Sequence, residues 1–265
     1  MSRNGPVAVV FHALFIIFMI APLAVVVWVS FTPLGYIQAP TTEWSLRWYR
    51  EIWSSGGFVR SFWLSIGLAF AAATLSLAVA VPAALAIARY DFFGRGILTG
   101  IFLSPLMIPS VVLGIAFLRF LTAVSITGTF YGMVLCHAVF VMPFVLRLAL
   151  ASIIGMDRQA ERAAISLGAS NATTFRRVTF PMILPGLVGG WVLAFITSFD
   201  ELTVSIFIAS PSLMTLPVRL FNHITQTTTP IVASVSAVII FLSMAVILIL
   251  ERVYGLDRLL MGSKR

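Results

Sequence analysis

The chain has 265 residues, 60% of them hydrophobic and 10% charged, which is more apolar surface than a soluble domain can bury, so the bilayer has to be its solvent. Its formal net charge of +8 would suit nucleic acid, but the cations lie scattered between apolar runs and form no basic stripe, which excludes that partner. Its single cysteine, Cys136, excludes an internal disulfide.

Six stretches are apolar enough to cross a core about 30 Å thick at roughly 20 helical residues each. They fall at about 8–31, 62–88, 97–118, 130–153, 182–209 and 231–250, so an all-α membrane protein with one transmembrane domain over 1–265 is expected. The first run follows Arg3 and is too long for a cleavable leader, so it is read as a retained span. After it, 32–61 is the longest outer loop, carrying Trp44, Trp48, Tyr49 and Trp53. There Leu46, Tyr49 and Trp53 repeat at i, i+3, i+7 and predict a short amphipathic helix at the membrane surface.

In the third span Pro105 and Pro109 predict a kink that frees backbone carbonyls. In the fourth, His137 reads as a hydrogen-bonded packing residue, and Arg147 is close enough to the inner surface to snorkel there. Placing both termini inside leaves only Arg47, Arg50, Arg60, Arg119 and Arg219 outside, and the other cations, Arg3, Arg258, Lys264 and Arg265 among them, on the cytoplasmic face.

Between the fourth and fifth spans lies a charged hairpin, 157–181. Asp157 is placed to cap a first short helix. Met156, Ala160, Ala163 or Ala164, and Leu167 form its apolar face, while Arg158, Glu161 and Arg162 project from other faces. Gly168 stands where that helix should end, since glycine enters the left-handed cap conformation without a Cβ penalty. Ser170 or Asn171 can cap a second helix running to about Val178, and Pro181 should stop it and begin the next span. Such a surface suits a soluble partner.

The order Ala163-Ala164, Gly168 and then Phe180-Pro181 resembles the cytoplasmic "EAA" coupling loop of permease subunits in ATP-binding-cassette importers. The resemblance implies a type I importer permease fold with cytoplasmic N- and C-termini, set in the bacterial inner membrane. It also implies an ATPase-coupling surface made of Glu161, Arg162, Ala163, Ala164, Leu167, Gly168, Ala169 and Ser170. The implied partners are a second permease (a copy or a related chain), two ATP-binding subunits and an extracytoplasmic solute-binding protein. One position departs from the family pattern: Arg162 stands where a glutamate usually precedes the alanines, and Glu161 lies one residue earlier, about 100° around the helix.

The fifth span carries Asp200 and Glu201, and carboxylates at bilayer depth are costly unless paired or facing water. Phe199, Asp200 and Glu201 are therefore candidates for the translocation pathway. Asp200 either ties to an arginine of a neighbouring span or subunit, or meets a cationic solute by charge-assisted hydrogen bonds. Ser198-Phe199-Asp200-Glu201, Ser210-Pro211 and Thr215-Leu216-Pro217 are similar to the second permease of spermidine/putrescine-type importers, as are Pro105 to Pro109, His137 and Pro143-Phe144. This implies polyamine or a comparable cation, although related permeases carry thiamine, iron or phosphonates. The segment 211–230, rich in Thr and Pro, is expected to be a loop over the pore mouth.

With no glycine-rich phosphate loop, Walker-type lysine or His/Cys metal cluster, the chain is expected to bind no cofactor and to be no enzyme, leaving ATP and Mg to a partner subunit. The competing reading from a different class is an ion-coupled secondary carrier or channel that works without an ATPase.

Overall fold

The computed structural model describes residues 5–39, 43–227 and 229–254. Arg3, Arg258, Lys264 and Arg265, which the orientation argument used, lie outside them. The chain forms two compact units, Met1–Arg60 with Leu220–Arg265, and Ser61–Arg219.

In the first unit, α1 (Pro6–Val29) packs on α12 (Ile231–Tyr254), and α12 packs on α2 (Arg47–Ser54). Ser234 Oγ donates to the Ser30 carbonyl at 2.9 Å, closing a polar gap between two otherwise apolar helices. The predicted surface helix is present as α2, but its buried face is Trp48 and Ile52, while Leu46 and Trp53 are exposed. Two hydrogen bonds set this rotation. Trp48 Nε1 donates to the Leu34 carbonyl at 3.2 Å, and the Tyr49 hydroxyl meets Ser30 Oγ at 2.6 Å.

The second unit is built around α6 (Phe130–Gly155) and α9 (Phe180–Phe199), with α3 (Gly57–Arg89) against them. Small residues let these helices approach. A Cβ placed on Gly186 would lie 2.3 Å from Ser152 Cβ, and one on Gly190 would lie 3.4 Å from Val145 Cα. Ala73, Ala80, Ala84, Val145, Ala149, Ile183 and Ala194 share the resulting core.

Among the described residues four helices, Val7–Val29, Gly57–Arg89, Phe130–Gly155 and Asn171–Phe199, are long and apolar enough to cross a bilayer, or five if a bent pair counts as one span. The stretch read as the third span is broken rather than kinked. It consists of α4 (Arg95–Leu103), a 3₁₀ turn (Ser104–Leu106) and α5 (Ser110–Ala123), with a bend of 105°. Pro109 takes an extended ψ of 133° and disfavours helix at Ile108, so the two prolines separate two helices instead of bending one.

The stretch read as the fifth span also ends early. After α9 stops at Phe199, α10 (Thr203–Ile208) begins beyond Leu202 and packs on α5. The expected loop over 211–230 is largely helix, α11 (Leu216–Gln226). Burial of Leu216 and Val218, with the Leu216 amide donating to Ser65 Oγ at 2.8 Å, overrides the turn-forming composition.

Candidate functional site

The hairpin begins where α6 ends. Asp157 Oδ1 accepts from the Gln159 amide at 2.8 Å and so caps α7 (Gln159–Ser166) from two residues upstream. Gly168 has φ +87° and closes the helix. The Gly168 amide donates to the Ile165 carbonyl at 2.9 Å and the Ala169 amide to Ala164 at 3.1 Å. Ser170 Oγ then accepts from the Thr173 amide at 3.3 Å, capping α8 (Asn171–Thr174).

Beyond α8 the backbone departs from expectation, because Pro181 does not stop the second helix. The chain widens into a single π turn over Phe175–Thr179 and runs on as α9 without a gap. Within that turn the Phe180 amide reaches back five residues to the Phe175 carbonyl. The wider turn accommodates a proline, which has no amide to give and whose ring crowds the preceding turn.

The outer surface of the hairpin is apolar and uncovered. Leu167 is 89% exposed and Ile165 is 50% exposed, with Arg162, Ala163 and Ser170 open beside them. Ala164 and Ala169 are half-buried. Met156, expected on the same face as Leu167, is buried instead.

Glu161 does not project outward as expected. Its carboxylate accepts from the Arg89 guanidinium at the last turn of α3 and from the Thr179 hydroxyl in the π turn. Its side chain is only 14% exposed. Burial pushes the Glu161 carboxyl up, but the Thr179 and Arg89 hydrogen bonds and the Arg89 and Arg158 charges outweigh it and hold the group below its usual range. Arg158 adds a further tie, donating from Nη2 to the Ala88 carbonyl at 3.1 Å. Of the two arginines four residues apart, both are exposed, but Arg158 is tied to the end of α3. Neither Arg89 nor Thr179 was singled out from sequence. The available signal was a lone arginine ending a span that the topology returns to the hairpin.

The second constellation is the break after α9. Asp200 terminates the helix, its amide donating to the Ile196 carbonyl at 3.1 Å, and its side chain is exposed. Among the described residues it makes no salt bridge within the chain. Glu201 is committed differently, since Oε1 accepts from the Val204 amide at 2.7 Å and caps α10. The two adjacent carboxylates thus divide their tasks, one structural and one open.

Behind the break lies His137, fully buried in α6. Nδ1 is 2.9 Å from Ser198 Oγ and Nε2 is 3.1 Å from Ser205 Oγ. One imidazole therefore holds both flanks of the Asp200–Leu202 interruption. The sequence reading of His137 as a hydrogen-bonded packing residue is met, but its two serine partners were not foreseen. Among the described residues there is no group of three or more His, Cys, Asp or Glu side chains that could hold a metal ion.

Comparison with known proteins gives the chain a family and its fold a counterpart. The family of binding-protein-dependent transport system inner membrane components matches residues 80–256. The chain is 31% identical over 247 residues to the spermidine/putrescine transport system permease protein PotC of Haemophilus influenzae, covering 93% of this chain and 94% of that one. To the putrescine transport system permease protein PotI of Escherichia coli it is 28% identical over 244 residues, covering 89% and 86%. A chain of a bacterial ABC transporter involved in the import of the acidic polysaccharide alginate shares its fold, with TM-score 0.73 over 96% of this chain at 16% identity.

Proposed function

The chain belongs to the binding-protein-dependent transport system inner membrane components, and from that premise we propose that it forms one half of a translocation pathway for polyamines or similar small organic cations. It is a multi-pass inner-membrane permease subunit of an ATP-driven importer, not an enzyme. The observation that carries the energetic part of this reading is the uncovered Leu167 surface of a hairpin whose inner side is fastened, through Glu161, to both α3 and the turn leading into α9. A soluble ATP-binding subunit seated on Leu167, Ile165 and Arg162 would move two long helices through one contact. ATP and Mg stay on that subunit.

The substrate rests on the exposed Asp200 carboxylate, together with the similarity to permeases named for spermidine and putrescine. A polyamine offers several ammonium groups, each of which can donate charge-assisted hydrogen bonds to such a group. The partners follow from the same reading: a second permease chain completing the pathway, two ATP-binding subunits at the hairpins, and a solute-binding protein on the opposite face.

The test is reconstitution of the chain with its second permease and ATP-binding subunits in proteoliposomes, with binding protein loaded from a panel of spermidine, putrescine, thiamine, ferric iron and a phosphonate. Uptake of the polyamines that needs both ATP and binding protein is expected, and Asp200→Asn should reduce it at least tenfold with assembly intact. Uptake of another panel member alone would overturn the substrate. Ion-gradient uptake by the chain without an ATPase would overturn the energetic reading.

A further inference from the structure

Along one side of α9 three aromatic rings recur at i, i+4 and i+8. Trp191 and Phe195 have centroids 5.5 Å apart with planes 20° from parallel, and Phe195 and Phe199 are 6.3 Å apart at 17°. At the period of a helix this file runs about 12 Å along the axis. Two rings of α3 meet it edge-on. Phe70 stands 5.4 Å from Trp191 at 77°, and Phe62 stands 6.2 Å from Phe199 at 83°. Trp191 is fixed by its indole N–H, which donates to Thr74 Oγ1 at 3.0 Å.

Trp191 and Phe195 pack at the edge of the core that α3, α6 and α9 share, but three observations distinguish the file from the sealed interior of that core. The face of α9 that seals against α6 is a different one, formed by Ile183, Leu187, Gly190, Ala194 and Ser198. Trp191, Phe195 and Phe199 are only half-buried and Phe70 is exposed, so ring surface remains open. The file also ends at the exposed carboxylate of Asp200, which cannot lie against hydrocarbon and requires water or a cation beside it.

Aromatic faces carry negative quadrupole potential and attract ammonium groups, more strongly where water is scarce. An open row of such faces ending in a carboxylate is complementary to an extended chain of methylenes with several ammonium groups, and offers nothing to an anion. Resting on the polyamine reading above, we propose that Phe62, Phe70, Trp191, Phe195 and Phe199 form a cation–π track along which a linear polyammonium solute passes to or from Asp200. The methylene segments lie on the rings while the ammonium groups step between ring faces. Because successive contacts are alike, the solute can advance without meeting one deep well.

The decisive experiment leaves side-chain shape almost untouched. Mono-, di- and trifluorophenylalanine introduced at Phe195 withdraw electron density from the ring in steps. In the reconstituted complex, with saturating binding protein loaded with spermidine or putrescine, the polyamine taken up per ATP hydrolysed should fall in steps, by about threefold in all. Spermidine, with more ammonium groups, should be affected more than putrescine. Phe195→Leu should reproduce the trifluoro value, and Phe195→Tyr should restore wild-type transport. A flat response across the fluorinated series, in a complex whose wild type carries polyamines, overturns the track. Failure of the wild-type complex to carry any polyamine overturns the substrate reading itself, and is recognised before any variant is made.

Discussion

Arg89 and Glu161, 72 residues apart in the chain, form the ion pair that fastens the hairpin to the last turn of α3, and Thr179 donates to the same carboxylate oxygen from the turn entering α9. One carboxylate therefore joins three segments. A displacement of α7 would reach α3 and α9 together, and would do so without help from the uncovered Leu167 surface. The position after Glu161 is taken by Arg162, so the exposed face of the hairpin is cationic and apolar.

Breaking that junction should uncouple the transporter more than it unfolds it. In Glu161→Gln the ion pair is lost while shape is kept, at a cost of about 1–3 kcal/mol. ATP hydrolysis should persist while uptake per ATP drops about tenfold, and the exchange Arg89→Glu with Glu161→Arg should recover part of it. Because the folded-state carboxyl lies below its ordinary value of about 4.3, its contribution is complete above that value and disappears as pH falls through the lowered one. Uptake per ATP should hence be flat from neutral pH down to about 5. If the Gln variant couples as tightly as the parent, Glu161 is not the junction.

His137 makes a separate prediction. Replacement by leucine leaves the hydroxyls of Ser198 and Ser205 without their buried partner, costing about 1–3 kcal/mol for each group left unsatisfied. Thermal unfolding of the purified complex should shift down by several degrees, and uptake should fall because the Asp200 break loses its fixed shape. Combining the change with Ser198→Ala and Ser205→Ala should restore part of the melting temperature. An unaltered melting curve for the leucine variant would show that the imidazole holds nothing.

Two glycines should respond in opposite ways to a small side chain. At Gly168 a Cβ meets open space, so Gly168→Ala carries only the left-handed backbone cost of about 1 kcal/mol. Gly168→Pro cannot adopt that φ and should abolish ATPase docking. At Gly186 even alanine clashes with Ser152, and Gly186→Ala should impair assembly until Ser152→Gly removes the obstacle. Docking by Gly168→Pro at normal affinity, measured by co-purification, would rule out this account of the turn.

Local chemistry was the legible part of the sequence. Asp157, Gly168 and Ser170 each act on amides within a few residues, and their capping roles needed no knowledge of the rest of the chain. The charge at Asp200-Glu201 was visible in an apolar run, but the break there was not, since 182–209 reads as one span. What sequence did not carry is direction. Glu161 turns inward because the end of α3 supplies Arg89, and α2 buries Trp48 rather than Tyr49 because the Leu34 carbonyl lies on that side. Helical structure over 216–226 likewise depends on Ser65, far away in the chain. The aromatic file was missed for a related reason: Trp191, Phe195 and Phe199 are spaced as any core stripe would be, and only the rings of α3 and the open Asp200 distinguish them.

The wide turn at Phe175–Thr179 holds one residue more than a regular helix would use there. In mechanical terms it is a dislocation, with a size of about 1.5 Å along the axis and 100° around it. Removing that residue would turn α9 by about 100° relative to α8 and carry Ile183, Leu187 and Gly190 away from α6. The phase between hairpin and span is therefore set by this one turn, and the seal of α9 on α6 depends on a residue that lies outside α9.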